Sequence, residues 1–405
     1  MTTIAVDECQ GGVTAPLGFT AAGIYCGIRK VKKDIAMIVS EVPATVAGVF
    51  TLNKTQAAPV LVDKIQLGRS STCSAVVVNS GNANACTGER GLNDAWEMVK
   101  TTAKVLKVEE KQVMVSSTGV IGQYMPMEKV LPAIGELAKS LSRTGSRDAA
   151  EAIMTTDTFA KEAAVRFTLG SSVVTIGGIA KGSGMIAPNM ATMLAFVTTD
   201  IVMPQNLLQK ALKGANNRSF NRISVDGDMS TNDKVLVLAN GLAKNKPFAE
   251  NSEEYQLFAA ALEYVLIKLA KMIAKDGEGA TKLIEIMVKG ARSEDEAAQA
   301  ARAVANSNLV KTAIHGADAN WGRILAAVGY SGIDFNPDIV EIFFGDLPIL
   351  RKNYEIVLDE EKAKEILMRD TVNIVVDLNQ GEQFARFWTC DLTKEYVHIN
   401  ASYRS

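Results

Sequence analysis

Short runs of β-branched residues alternate with amphipathic segments along nearly the whole chain. The β-like runs include 74–81, 112–120 and 193–200, and Gly, Asn or Ser residues bound them, as is typical of strands. Segments 91–106 and 127–142 instead carry apolar residues at three-to-four spacing, which predicts helices with one buried face. Such an alternation is typical of sheets covered by helices, so we predict a mixed α/β fold.

Further elements extend this alternation. Strands are predicted at 35–51 and within 163–184, and helices at 146–155 (capped by Ser146), 203–217, 252–277, 293–316 and 359–369. A chain of 405 residues is too long for one small core, so we expect more than one domain. The predicted divisions are a main domain over 1–200, an inserted α/β subdomain over 201–282 and a C-terminal α/β domain over 283–405.

Charge and hydropathy argue against two classes of partner. The formal net charge is −2 and the longest basic cluster is the short RKVKK at 29–33, so nothing indicates a nucleic-acid surface. The opening MTTIAVDECQGG lacks the basic and apolar regions of a secretory signal. No apolar stretch reaches the roughly 20 residues of a membrane helix. We therefore expect a soluble, cytoplasmic protein without nucleic-acid or membrane partners.

Metal-binding and triad chemistry have little support in the sequence. The five cysteines are scattered without a CxxC pair, and the two histidines, His315 and His398, lack a ligand-like neighbour. The carboxylates of RISVDGDMSTND at 222–233 lack the spacing of an EF-hand loop. A Ser-His-Asp triad would have to use one of the two histidines. We expect no metal and no organic cofactor.

The stretch KGSGMIAPNMATMLAF at 181–196 places a threonine between a Gly- and Pro-punctuated approach and an apolar strand. A threonine hydroxyl is activated when threonine is the first residue of a chain, because its own α-amino group can accept the hydroxyl proton. That amine has a reference pKa of about 7.7–8. Thr192 could be released from a precursor by attacking the carbonyl of the small Ala191. The alternative is an ordinary strand that starts after a turn.

Other motifs allow both a catalytic and a structural interpretation. VSSTGVIG at 115–122 could stabilise an oxyanion with a hydroxyl and backbone N–H groups, or form a plain turn. KDGEGATKLIEI at 275–286 puts Glu278 on a Gly-flanked loop, where it could bind a substrate ammonium or face solvent. The Gly- and Asn-rich 77–91 matches neither common phosphate-binding pattern. The terminal NASYRS at 400–405 could be tied down against a site.

Taken together, these segments resemble one family, the ornithine acetyltransferases (glutamate N-acetyltransferases) of arginine biosynthesis. The resemblance is carried by KGSGMIAPNMATML, SSTGVIG, VVNSGNANACTG, IMTTDTF, DGEGATK, HGADANWGRI and the terminal NASYRS, in the family's order. It extends from GFTAAGIYCGIRK near the N-terminus to the last residue. The final residue here is serine, where the family also uses threonine, so a hydroxyl is kept.

The resemblance implies a self-cleaving precursor. The cut would fall between Ala191 and Thr192, giving an α chain of 1–191 and a β chain of 192–405 whose first residue is the nucleophile. By the same resemblance, Thr118 and Gly119 stabilise the oxyanion. The residues implied to line the substrate site are Thr155, Thr156, Lys181, Thr192, Glu278, Asn400 and Ser405.

The family's reaction fits these residue types. Thr192 would take the acetyl group of N-acetylornithine, ornithine would leave, and glutamate would accept the acetyl group from the threonine ester, a ping-pong mechanism. Lys181 suits a substrate carboxylate and Glu278 suits an ammonium group. The resemblance also implies an αββα sandwich similar to the N-terminal-nucleophile hydrolases, smaller additional α/β domains and an α₂β₂ assembly. Whether acetyl-CoA is a second donor stays open, and we expect the bifunctional form.

Two other functions remain to be distinguished. A self-processing amidohydrolase or aminopeptidase on a related fold would share the nucleophile and pass the acyl group to water. The set of Lys181, Glu278 and Asn400 favours transfer to an amino acid instead. A non-catalytic nucleotide-binding module would leave the chain intact, and the loop motifs do not support it.

Overall fold

The computed structural model of the protein describes residues 6–187 and 193–402. The described chain forms two compact units. The first takes its residues from Met1–Gly182, Asn189–Asn221 and Met229–Leu269, and the second from Ser183–Pro188, Arg222–Asp228 and Ala270–Ser405. The three-domain division expected from the sequence stays a prediction.

The first unit combines strands and helices in alternation. Its strands are β1 (Asp7–Glu8), β2 (Phe19–Ile24), β3 (Ile35–Phe50), β4 (Thr72–Asn82), β5 (Val113–Val120), β6 (Lys161–Leu169), β7 (Ser172–Lys181), β8 (Leu194–Thr199) and β9 (Lys234–Ala239). Its helices are α1 (Ala58–Arg69), α2 (Gly88–Leu106), α3 (Met127–Lys139), α4 (Ser146–Ala152), α5 (Gln205–Asn217) and α6 (Glu253–Lys275), of which α6 begins in this unit.

One long strand ties the sheet of the first unit together. The strand order is β1-β6-β7-β8-β9-β3-β4-β5, and β2 also pairs with β3. The first half of β3 pairs with β2 and β4, and its second half, Thr45 to Phe50, pairs with β9. The register between β3 and β4 shifts between Val39 and Ala44, which is where the strand changes partners.

Alternate residues of each strand serve different layers, because successive side chains point to opposite faces. Ala75 and Val77 of β4 pack with the apolar faces of α1, α2 and α3. Val76 and Val78 join a second core that also contains Phe196 of β8, so the two halves of the sheet face each other.

On the far side, α6 lies against β7. A Cβ atom at Gly178 would be 3.1 Å from the Leu269 side chain. The order of layers in the first unit is therefore helix, sheet, sheet, helix. The predicted mixed α/β class with an αββα sandwich is confirmed.

The second unit is a smaller α/β assembly. Its strands are β10 (Leu283–Ala291), β11 (Glu341–Phe344), β12 (Leu347–Arg351), β13 (Glu355–Ile356), β14 (Thr371–Asp377) and β15 (Gln383–Cys390). Its helices are α7 (Glu294–Asn306), α8 (Asn308–His315), α9 (Trp321–Gly329), α10 (Glu360–Leu367) and α11 (Lys394–Ala401). The sheet order is β13-β12-β11-β14-β10-β15. Ile284, Ile286 and Val288 of β10 share one core with the alanine-rich face of α7.

Several local predictions need correction. The strands predicted within 163–184 are β6 and β7, and they form a hairpin because Gly170 adopts a φ of 62° and lets the chain reverse, whereas two other predictions fail. The helix expected over 293–316 is divided into α7 and α8, because the Ser307 side chain accepts from the Val310 N–H and starts a new helix. Gly145, not Ser146, occupies the cap position of α4.

The sequence did not predict two of the helices, α1 and α11.

Ser146, the predicted cap residue, instead lies in the first turn of α4, where its hydroxyl accepts from the Val13 N–H and donates to Glu162. Among the helices of the described ranges, none is long and apolar enough to cross a bilayer.

Candidate active site

The predicted nucleophile and its neighbours lie at the edge of what the structure describes. Ala191, Thr192 and Ser405 fall outside the described residues. Met193 is the first described residue after the predicted cut, and its backbone N–H donates to Asp233 Oδ1 at 3.0 Å. Asp233 therefore binds the backbone of the residue that directly follows Thr192 in the chain, just before β8 begins.

Three strand ends come to the same level of the first unit. Lys181, the last residue of β7, pairs with Leu194, the first residue of β8. Leu194 in turn pairs with Lys234, the first residue of β9. The strand register thus places Lys181 opposite Leu194, and Leu194 lies two residues after the predicted nucleophile in the sequence.

The structure brings Thr118 and Lys181 into contact. Lys181 Nζ donates to Thr118 Oγ1 at 3.3 Å, and both side chains are buried. A lysine and a hydroxyl in a buried position form a polar patch with little access to water, which strengthens their interaction with a charged group. Thr118 lies near the end of β5, as the sequence predicted.

Gly119 occupies a position that only glycine fits. Its φ is 134°, and a Cβ atom there would lie 2.3 Å from the carbonyl carbon of Gly81 on the neighbouring strand. The two strands are parallel, and the pairing of β4 with β5 becomes irregular just beyond this point. The missing side chain lets the backbone of Gly119 approach β4 closely. Its role in binding an oxyanion stays a prediction.

Thr155 and Thr156 lie in the loop between α4 and β6, and both are half-buried. The Thr155 N–H donates to Asp157 Oδ2 at 2.9 Å. The Arg29 guanidinium donates to the carbonyl oxygens of Met154 and Thr155, at 2.7 and 3.1 Å. This loop is therefore braced from both its N–H and its C=O groups.

Asp157 connects this loop to the end of β7, and sequence reasoning missed it. Its Oδ1 accepts from Lys161 Nζ and from the Gly182 N–H, both at 2.7 Å. Burial works to raise the pKa of Asp157, but the Lys161 and Lys181 ammonium groups and these hydrogen bonds prevail and lower it well below its ordinary value. Asp157 therefore carries a stable negative charge beside Lys181.

A faint signal for Asp157 existed in the motif IMTTDTFAK, where an aspartate precedes a lysine by four residues. That spacing usually marks an exposed pair on a helix surface. Here it spans a loop and the first residue of β6, and both side chains are fully buried. The spacing alone does not distinguish these two situations.

In the second unit, Glu278 and Asn400 are in direct contact. Asn400 Nδ2 donates to Glu278 Oε2 at 2.7 Å and to the Tyr396 carbonyl oxygen at 3.0 Å. Glu278 is buried, so the solvent-facing alternative for this side chain is wrong. A Cβ atom at Gly184 would lie 2.3 Å from the Glu278 carboxyl group, so the absence of a side chain at Gly184 leaves room for this carboxylate.

Among the described residues, His315 is not part of a Ser-His-Asp type triad. His315 Nδ1 lies 2.8 Å from Asp391 Oδ2, but the nearby Thr281 hydroxyl donates to the same carboxylate oxygen at 2.6 Å. A triad requires the hydroxyl to face the imidazole, so this arrangement lacks the needed order. Within residues 6–187 and 193–402, no group of three or more His, Cys, Asp or Glu side chains is placed to hold a metal ion.

Comparison with known proteins gives the family. A sequence model of the ArgJ family matches residues 20–405. The arginine biosynthesis bifunctional protein ArgJ of Caldanaerobacter subterraneus subsp. tengcongensis is 53% identical, with 99% of this chain and 100% of that protein covered. The protein of the same name from Symbiobacterium thermophilum is 54% identical, with 99% and 100% covered. The solved structure of Mycobacterium tuberculosis ornithine acetyltransferase complexed with ornithine is 37% identical, covers 45% of this chain and 98% of its own, and has a TM-score of 0.42. The chain belongs to the ArgJ family.

Proposed function

We propose that the chain cuts itself between Ala191 and Thr192 and then moves an acetyl group from N2-acetylornithine to glutamate through an ester on Thr192. Membership in the ArgJ family makes the chain an acetyl-transferring enzyme of arginine biosynthesis. The observation that carries the proposal is the match to ArgJ proteins over 99% of the chain.

The first half of the reaction forms the acetyl-enzyme. The Thr192 hydroxyl attacks the acetyl carbonyl, its proton passes to the α-amino group of Thr192, and the amide C–N bond breaks as ornithine leaves with that proton. Thr118 and Gly119 supply the groups that stabilise the oxyanion. The contact of Lys181 with Thr118, at 3.3 Å, supports this, because it puts a positive charge next to the oxyanion donor.

The second half reverses these steps with a different amine. The α-amino group of glutamate attacks the ester carbonyl, the C–O bond to Thr192 breaks, and the hydroxyl recovers a proton. Glu278 binds the substrate ammonium group, and Asn400 orients the Glu278 carboxylate by its hydrogen bond of 2.7 Å. Thr155, Thr156, Lys181 and Ser405 line the same substrate site in this proposal. No metal or organic cofactor takes part.

A second donor and the assembly belong to the same proposal. The name bifunctional in the relatives supports a second reaction, in which acetyl-CoA acetylates glutamate. The fragments 1–191 and 192–405 stay associated, as an α₂β₂ assembly in the cytoplasm. The amidohydrolase alternative is not favoured, since the family match is to acetyl-transferring enzymes.

The test is Thr192→Ala, compared with the unchanged protein by mass spectrometry under denaturing conditions. We expect the unchanged protein to give fragments 1–191 and 192–405, and the variant to stay intact and to lose transfer of labelled acetyl from N-acetylornithine to glutamate. Thr192→Ser should retain part of both activities, because it keeps a hydroxyl. The control is Thr168→Ala, which removes an exposed hydroxyl from β6. Normal transfer by Thr192→Ala would contradict the mechanism, and label released only as acetate would favour a hydrolase.

A further inference from the structure

The segment SVDGDMSTND at 224–233 supplies two carboxylates that bind backbone N–H groups, and the function described above uses neither. Asp226 Oδ2 accepts from the Met185 N–H at 2.6 Å, and Asp226 Oδ1 accepts from the Ile186 N–H at 2.8 Å. Both oxygens of this carboxylate therefore hold consecutive peptide groups within the second unit. A carboxylate bound to a backbone N–H is a charge-assisted hydrogen bond, which is stronger than a neutral one.

The Ile186 peptide is also held from its carbonyl side. Its oxygen accepts from the Val225 N–H at 2.9 Å and from the Gly227 N–H at 3.3 Å. The half-buried Asp226 is supported by the Tyr396 hydroxyl, which donates to Oδ2 at 3.2 Å. The chain just before residue 187 is thus fixed by its main-chain groups, whatever side chains it carries.

Asp233 holds the chain on the other side of the predicted cut, within the first unit. Its Oδ1 accepts from the Met193 N–H at 3.0 Å, and the side chain is fully buried. Its Oδ2 is buried as well, and the Ser230 and Thr51 hydroxyls favour the ionised form of this carboxyl group. Burial outweighs these interactions and raises the pKa of Asp233 well above its ordinary value.

The contacts of Asp226 and Asp233 lie on the two sides of the predicted cut in the sequence. Ile186 is the last residue that Asp226 holds, and Met193 is the residue that Asp233 holds. Between them lies the peptide bond of Ala191 and Thr192. An intramolecular attack on a peptide carbonyl is fast only when the chain is held near the reactive geometry, since small displacements lower the rate steeply.

We propose that Asp226 and Asp233 are positioning residues that hold the backbone on the two sides of the peptide bond that the chain cuts. This inference rests on the proposed self-cleavage at Ala191 and Thr192. Neither residue needs to touch the reacting atoms, since each acts through the main chain.

The two residues have different roles after the cut. Met185 and Ile186 then belong to the fragment 1–191, which does not carry the nucleophile. Met193 follows Thr192 directly in the fragment 192–405. Asp226 should therefore matter more for cleavage than for acetyl transfer, whereas Asp233 serves both.

The experiment measures two rates on each variant of the full chain. Freshly synthesised precursor is followed over time by mass spectrometry under denaturing conditions, and acetyl transfer from N-acetylornithine to glutamate is then measured per cleaved chain. For Asp226→Ala we expect cleavage slowed by about 10- to 100-fold, the range expected for losing charge-assisted hydrogen bonds, with a much smaller change in kcat and KM per cleaved chain. For Asp233→Ala we expect both cleavage and kcat to fall, with a smaller change in KM.

Matched variants distinguish a positioning role of these residues from a general effect on folding. Asp228→Ala removes an exposed carboxylate from the same loop and should behave like the unchanged protein. Asp233→Asn keeps an acceptor for the Met193 N–H and should recover much of both rates, because the proposed role requires that acceptor and not a charge. Should either alanine variant fail to fold, the asparagine variant at the same position supplies the measurement, with Asp226→Asn cutting more slowly because one of its two acceptors is lost.

The possible outcomes are distinct. An unchanged protein that stays intact contradicts the proposed self-cleavage and this inference with it. If the unchanged protein is cut and Asp226→Ala is cut equally fast, only the inference fails. The inference also fails if Asp226→Ala lowers kcat per cleaved chain as strongly as it slows cleavage, because the residue would then have a general structural role.

Discussion

Two buried lysine–aspartate pairs in the first unit look alike and behave in opposite ways. Lys161 lies 2.7 Å from Asp157, Lys234 lies 2.5 Å from Asp63, and all four side chains are fully buried. The pKa of Asp157 is lowered well below its ordinary value, whereas burial raises the pKa of Asp63 against the attraction of Lys234. The same burial also lowers the pKa of Lys234.

The surroundings of each pair explain the difference. Asp157 faces a second ammonium group, that of Lys181, and accepts from the Gly182 N–H at 2.7 Å. Asp63 accepts from the Val115 N–H at 2.8 Å, and Lys234 donates to the Val115 carbonyl oxygen at 2.8 Å. The Asp63 pair thus fastens β5 to its neighbours. The Asp157 pair sets the charge beside residues predicted to bind substrate, so equal burial does not imply an equal role.

The largest effect is expected on stability, at Lys234. Lys234→Met leaves the Asp63 carboxylate buried without its cation, so the free energy of unfolding should fall by about 3–5 kcal/mol. Urea unfolding measures this change. The control is Lys139→Met, whose ammonium group lies at the surface beside Glu136 and should have little effect. Equal losses for the two variants would mean that burial of the Asp63 pair has no special consequence.

The next largest effect is expected on catalysis, where substitution of Asp157 and of Asp63 should change kcat/KM to different extents. Asp157→Asn removes the charge that faces Lys161 and Lys181, and kcat/KM for acetyl transfer should fall by about 10- to 100-fold. Asp63→Asn should lower the free energy of unfolding and leave kcat/KM of the folded protein nearly unchanged. The measurement is transfer of labelled acetyl to glutamate at a temperature where both variants are folded. If Asp63→Asn loses as much kcat/KM as Asp157→Asn, the two pairs do not differ in role.

The smallest effect is on the pH dependence of stability. The pKa of Asp157 is lower in the folded chain, so its contribution to stability is complete above the unfolded value of about 3.9 and is lost as pH falls through the folded value. The pKa of Asp63 is raised, so the folded chain keeps that proton longer and its contribution declines as pH rises above about 3.9. Each slope is at most about 1.4 kcal/mol per pH unit.

Urea unfolding of the unchanged protein and of each Asp→Asn variant, between about pH 3 and pH 7, measures these slopes. The difference in unfolding free energy between unchanged protein and variant should change with pH in opposite directions for the two positions. Slopes of the same sign would show that one of the two assigned directions is wrong.

Much of the fold was predictable because long strands and helices carry a clear period. The prediction of a strand over 35–51 is met by β3 at Ile35–Phe50, and that of a helix over 203–217 by α5 at Gln205–Asn217. Failures occurred where a local contact decides the boundary. The Ser307 cap divides one predicted helix into two, and such a cap lacks a period of its own.

Only part of the candidate site was predictable from the sequence. Thr118, Lys181, Glu278 and Asn400 came from the family resemblance, and the structure joins them as two pairs, one in each unit. The resemblance assigned no role to Asp157 or Asp233. These residues bind the backbone N–H groups of Gly182 and Met193, which are distant from them in the sequence. Only the folded chain shows which N–H groups those are.

The position of β8 between two strands has a consequence for how the protein loses its structure. β8 pairs antiparallel with β7 and parallel with β9. After a cut before Thr192, β7 belongs to one polypeptide, and β8 and β9 belong to the other. The protein would fold as a single chain before the cut. After the cut, refolding would require two separate polypeptides to associate. Its melting should therefore depend on protein concentration and be difficult to reverse, whereas the uncut Thr192→Ala precursor should refold as one chain.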